Sequence, residues 1–369
     1  MIYRIYSLIL KELIGVWRDP KSRFAILLPP IIQLFIFTFA ATLDVKHISI
    51  GVVNRDNGEK GFELIERFKG SPVFGKIIHL PSVDAIHPFI DTQKGVMAIS
   101  IDETFSRKLD SDKRAPIQLI FDGRKSNTAQ IVAGYATSII QQYEREAEER
   151  QGVLLEKTRL VKRDWYNPNI LYYWYNVPCL VAILSMLTCL IVTSLSVARE
   201  RELGTFDQLL VSPLIPFEIL VGKIVPGILI GQLEGSIILI VGVFLFGVPF
   251  TGSALLFYLC LFFFVSAISG AGLFISSICS TQQQAILGTF VFMVPSVLLS
   301  GFATPIENMP EWLQPVTYLM PLRYMLVISK GIFLKDMPAS VVFNQAWPMI
   351  LIAIFSVFGA GRFFRRRLG

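Results

Sequence analysis

The sequence predicts an α-helical polytopic membrane protein, with six transmembrane helices and an extracytoplasmic α+β domain inserted between the first and second. Three observations lead there. Of 369 residues, 53% are hydrophobic and only 17% charged, where a soluble domain carries about a quarter charged residues; the mean hydropathy is +0.56. Charge-free runs recur at 24–43, 171–198 and 251–306, and about twenty apolar residues of helix cross a hydrocarbon core of ~30 Å. Residues 44–170, by contrast, are densely charged, with short β-type runs alternating with helical ones. The net charge of +6 does not argue for nucleic acid, because Arg362, Arg365, Arg366 and Arg367 directly follow an apolar run. Positive charge at that place is what the cytoplasmic side of a span carries.

In residues 1–23, Arg4, Lys11 and Arg18 recur every seven positions, while Ile2, Ile5, Ile9, Leu13 and Trp17 gather elsewhere. That pattern reads as a helix lying in the cytoplasmic interface. Residues 24–43 form the first span, kinked near its start by Pro29-Pro30. The run is too long for a secretory signal, and further spans follow it. In 44–170 the strands are expected at 47–54, 76–80, 96–101 and 116–121, and the helices at 61–68, 83–91, 104–109 and 127–151. Asp122-Gly123 marks a tight turn. His47, His79 and His87 fall in separate elements, so no metal site is expected, and no catalytic constellation can be assembled. All four cysteines (Cys179, Cys189, Cys260, Cys279) lie in apolar segments and read as small core residues.

Trp165, Tyr166 and Tyr172 to Tyr175 form the aromatic belt where the chain re-enters lipid. The second span is 171–198. Its small or mildly polar residues, among them Ser185, Cys189, Thr193 and Ser196, serve either close helix packing or the lining of a substrate path. The third span is 224–250, where Gly227, Gly231 and Gly235 repeat every four residues as a helix-packing face. Glu234 adjoins them, the one acidic residue of that span, and intramembrane carboxylates are costly and often functional. The charge-free stretch that follows holds two spans, 254–279 and 285–303, joined at Thr281-Gln282-Gln283-Gln284. Ser296 and Ser300 join Ser185, Thr193 and Glu234 as candidates for a substrate path. In 304–345, prolines at 305, 310, 315 and 321 suggest short broken helices at the outer surface. The sixth span is 346–361, and 362–369 is a basic cytoplasmic tail. Lys and Arg near both termini and in 199–223 put these on the cytoplasmic side. Residues 44–170 and 304–345 are then outside.

The loop 199–223 carries the most specific signal. Arg199, Glu200, Arg201 and Glu202 alternate in sign, extending the preceding helix into water; Gly204 allows a break. Thr205 with Gln208 fits a capping box for a new helix that presents Phe206, Leu209 and Leu210 on one side and ends at Pro213. Taken alone this is an interfacial helix. The run through Gly222-Lys223 resembles the signature cytoplasmic loop of ABC-2 type permeases, as do Ser-Thr-Gln-Gln-Gln-Ala at 280–285, Leu-Leu-Ser-Gly-Phe at 298–302 and the segment 305–313. Residues 90–94, 119–127 and 164–169 carry a closer likeness to the permeases of bacterial multidrug exporters. The resemblance covers nearly the whole chain. It implies that 205–212 docks on a separate ABC ATPase subunit, that a second permease, identical or related, completes the path, and that export crosses a bacterial inner membrane by alternating access. No G-x-x-x-x-G-K-[S/T] occurs, so no cofactor is expected on this chain, and ATP with Mg belongs to the partner. Membrane lipids are further partners. A gradient-driven transporter using Glu234, export of lipid or polysaccharide, and a non-transporting scaffold are the rival readings.

Overall fold

A computed structural model describes residues 1–18, 20–39, 48–111, 113–150, 167, 171–206, 208, 211 and 213–368. The chain divides into two units, Thr42–Lys162 and the remainder, 1–41 with 163–369.

In the first of these, β1 (Ile48–Asn54), β2 (Phe74–His79), β3 (Met97–Ile101) and β4 (Ile117–Phe121) form one sheet in the order β2-β1-β3-β4. β1 runs parallel to β2 and β3, and β4 is antiparallel to β3. The helices are α3 (Glu59–Lys69), α4 (Ile86–Asp91, after a 3-10 turn at Val83–Ala85), α5 (Phe105–Asp110) and α6 (Ser126–Arg150). Alternation along the strands sends Ile50, Val52, Met97 and Ile99 to a core shared with Leu64, Phe68 and Val132, while Val53 and Ala98 pack with Ile86 on the opposite face. Each expected strand and helix of this segment is present within a few residues. His47 lies outside the described residues, and among those described no three His, Cys, Asp or Glu side chains gather as a metal site.

The larger unit is helical: α1 (Ile2–Arg18), α2 (Pro20–Phe39), α7 (Tyr172–Glu202), α8 (Pro216–Phe244), α9 (Ala254–Ile278), α10 (Gln282–Leu299), α11 (Pro321–Lys335) and α12 (Ala339–Leu368). Among the described residues five helices are long and apolar enough to cross a membrane: α7, α8, α9, α10 and the 339–363 portion of α12. The chain therefore has the build of a polytopic membrane protein. α2 carries a shorter apolar stretch, Leu28–Thr38, with Pro29 and Pro30 inside the helix. α7 is the central post. Its uncharged middle, Asn176 to Leu190, is buried throughout against α2, α8, α9, α10 and α11. Glycine lets α8 approach α7 closely: a Cβ on Gly235 would lie 2.9 Å from Ser185 Oγ and 2.7 Å from Leu261 Cδ2, and one on Gly231 3.2 Å from the Cys189 Cβ. α9 and α12 cross as tightly at Gly270, where the Ser356 hydroxyl donates to the Ala267 carbonyl at 2.9 Å.

Several boundaries differ from the expectation, each for a local reason. α8 starts at Pro216 rather than 224, because Pro216 sits in the first turn and the Glu218 carboxylate accepts the Ile215 N–H at 3.1 Å. Its charges lie inside the protein, so they do not mark a loop; the helix ends at Phe244, not 250. The turn between α9 and α10 is shorter than expected, since the Thr281 hydroxyl caps the Gln284 N–H at 3.3 Å. α10 thus runs 282–299 in place of 285–303. α12 begins at Ala339, seven residues before the expected 346, and continues through the terminal arginines. Only the first part of 304–345 consists of short, largely exposed turns. Short 3-10 turns at 306–308 and 314–319 lead into α11, whose Leu322, Met325, Leu326, Ile332 and Phe333 are buried in the helical core.

Candidate functional site

Four chain segments meet at one end of the helical unit: α1, the last turn of α7, the first two turns of α8, and the α9–α10 turn. The alternating charges at the end of α7 each find a different neighbour here. Arg201 Nη1 donates to the carbonyls of Ser277 at 2.7 Å and Cys279 at 3.2 Å, which close the C-terminus of α9. Glu202 Oε2 accepts the Gln282 N–H at 2.7 Å, at the N-terminus of α10. A cation on the carbonyl end of one helix and an anion on the amide end of the next both oppose the local dipole favourably. Glu200, 8% exposed, turns inward.

There it meets Lys223, whose side chain is fully buried. Lys223 Nζ lies 2.6 Å from Glu200 Oε2, in a close ion pair without hydrogen-bond alignment, and donates to Glu12 Oε1 at 2.7 Å. Lys11 Nζ donates to the other Glu200 oxygen at 2.9 Å, and the Ser196 hydroxyl donates to Glu12 Oε2 at 3.3 Å. α1 is thus bolted to α7 and α8 by charge, and Arg4 Nη1 adds a bond to the Pro213 carbonyl at 2.8 Å. Apolar contact reinforces it, with Leu8 buried against Gly222. A cavity of about 400 Å³ lies between these parts, lined by Glu12, Arg199, Glu200, Thr205, Gln208 and Lys223 among others.

The break after α7 is as expected at Gly204, whose φ of +69° is a left-handed conformation that glycine adopts without strain. Thr205 also serves the end of α7. Its N–H and its hydroxyl both donate to the Glu200 carbonyl, at 2.9 and 3.3 Å, closing the old helix. Phe206 and Gln208 are helical, and Phe206 is buried with the Arg201 guanidinium 5.0 Å from its ring centre. Asp207, Leu209, Leu210 and Ser212 lie outside the described residues. Leu203 and Val211, 64% and 86% exposed, present apolar side chains outward, and Pro213 is also exposed. The sequence reading missed Lys11, Glu12, Glu218 and Gln282 as parts of this junction. The available signal was a lysine and two carboxylates placed where apolar faces should continue.

The other candidates lie elsewhere in the bundle. Ser185 packs against Gly235 and its hydroxyl has no partner; Thr193 packs against Gly227 and donates to the Cys189 carbonyl at 2.7 Å. Ser296 and Ser300 on and after α10 donate to the carbonyls of Phe292 and Val297. Glu234 is 2% exposed, and its Oε1 has no hydrogen-bond partner. No hydrogen bond among the described residues joins Ser296 or Ser300 to the α7–α8 group.

Residues 21–361 match the family described as ABC-2 family transporter protein. The chain belongs to that family. Over 368 residues, all of both chains, it is 45% identical to the probable multidrug ABC transporter permease YbhR of Escherichia coli K12. Identity to YbhS of the same strain, also a probable multidrug ABC transporter permease, is 32% over 349 residues, covering 92% of this chain and 91% of YbhS. The inner membrane transport permease YhhJ of E. coli K12 is 27% identical over 281 residues, 73% of this chain and 72% of that one. ABC-2 membership accounts for the apolar helices.

Proposed function

We propose that this ABC-2 protein is the membrane-spanning permease subunit of an ATP-driven exporter in a bacterial inner membrane, gripped by a separate ATPase subunit at the helix-end junction. The observation that carries the proposal is that junction. The 199–213 segment displays exposed apolar side chains, Leu203 and Val211, while its charges bind it to the starts or ends of α8, α9 and α10. A force applied to the segment is passed to several helices at once. ATP and Mg reside on the partner. Likeness over the whole chain to one probable multidrug permease, and over 92% of it to another from the same organism, supports hydrophobic drugs as cargo and a related permease as the second half of the path.

In this reading α2 is the first of six spans, both termini and the junction face the cytoplasm, and residues 44–170 are periplasmic, because Lys and Arg cluster at the junction end and in the tail. The double variant L203D/V211D is expected to purify as a folded membrane protein and to lose its copurifying ATPase. Retention of the ATPase by that variant overturns the docking role. A Thr205→Cys variant labelled by a membrane-impermeant maleimide from the outer face overturns the topology.

Glu234 favours a second reading, in which an ion gradient drives transport through its buried carboxyl group. Transport that survives ATP depletion and collapses on E234Q substitution would select it over the first.

A further inference from the structure

Away from the junction core, the start of α8, the middle of α9 and the end of α12 leave a long apolar groove of about 880 Å³. Phe217, Leu220, Phe263, Val357 and Phe358 line it, and Arg362 stands at its mouth. Phe217 and Phe358 are 53% and 71% exposed, so the groove opens sideways from the bundle, the direction in which a spanning helix meets lipid. Its depth is informative. Nine residue steps separate Ala353 from Arg362 along α12, which at ~1.5 Å each is about 14 Å. One leaflet of a bilayer, half of a ~30 Å hydrocarbon core, is about 15 Å. The groove is therefore one acyl chain deep and ends at a cation.

Arg362 makes no ion pair or hydrogen bond among the described residues, and no acidic side chain lines the groove. A second, smaller apolar cavity of about 430 Å³ on another side of α12, lined by Phe274 and Phe355, also ends at Arg362. We propose that the α8–α9–α12 groove holds an acyl chain of an anionic phospholipid whose phosphate is bound by Arg362. A guanidinium offers paired donors that match two phosphate oxygens. A second copy of this chain, presenting the same face, brings no carboxylate to neutralise that charge. The occupant is a lipid of the same leaflet as the junction, held independently of any ATPase.

The test uses the full-length protein in nanodiscs with phosphatidylglycerol or phosphatidylcholine carrying a photoactivatable acyl chain, and maps adducts by mass spectrometry. Adducts are expected on residues 217–220 and 353–358, with phosphatidylglycerol favoured about fivefold, the worth of one arginine at an anionic headgroup. Arg362→Gln is expected to lower the preference markedly, Arg362→Lys to keep most of it, and Ala353→Trp to remove adducts of both lipids by filling the groove. Equal labelling by the two lipids in the unmodified protein overturns the proposal. So does a preference that Arg362→Gln leaves unchanged, or the absence of adducts on residues 217–220 and 353–358.

Discussion

Lys223 shows how much a single side chain can hold in this chain. It is fully buried between two carboxylates, so its removal strands Glu12 and Glu200 with reduced compensation. Breaking a buried ion pair from one side is destabilising by about 3–5 kcal/mol, whereas removing all partners together is often nearly neutral. K223M is therefore expected to lower the thermal aggregation midpoint of the purified protein sharply, and the triple variant E12Q/E200Q/K223M to recover most of it. Equal losses in the two variants would mean that the network contributes packing rather than charge pairing. The sequence showed the alternating charges of 199–202 but not their targets. Arg201 and Glu202 are addressed to helix ends at 277–282, and nothing local in the chain announces a partner some eighty residues away.

Among the elements, what was legible was periodicity, and what was not was where charge marks a boundary. The four-residue glycine repeat of α8 lies against α7 and α9: a Cβ on Gly227 would collide with Thr193, and one on Gly235 would crowd Leu261. Overpacking a tight contact typically costs about 1–3 kcal/mol, so Gly227→Val is expected to reduce folded yield. Gly247→Val is not a fair control, since Gly247 has φ +62°; Gly134→Ala, with open space around its Cα, is expected to be silent. Fluorescence-detected size exclusion reads both. α8 starts before the expected 224 because Glu218 and Lys223, in the stretch expected as loop, are satisfied within the fold. α11 was misjudged for a similar reason: prolines at 315 and 321 open helical turns here instead of breaking them.

At the scale of the whole molecule the change in composition at 44–170 located a separate unit, because a soluble core needs alternating strands and charged faces where a membrane core does not. Residues 42–162 enclose their own apolar centre around Ile50, Leu64, Phe68 and Ile99. A domain with its own core can fold alone. Expressed by itself, this segment is expected to unfold cooperatively on heating by circular dichroism; a gradual, sloping melt would show that it depends on the helices for its order. The count of spans was less legible. Composition supports a sixth crossing at 24–43, but the described part of α2 keeps only Leu28–Thr38 as an apolar core, and residues 40–43 lie outside the described set.

The bolt between Glu12 and Lys223 spans 211 residues of sequence. A ribosome adding about 5–20 residues per second needs on the order of 10–40 s to deliver the second half of that pair after the first has emerged. Throughout that interval Glu12 on α1 lacks its partner from α8. The junction therefore cannot close before residue 223 has been made, and its Arg201 and Glu202 bonds wait longer still, for residues 277–282.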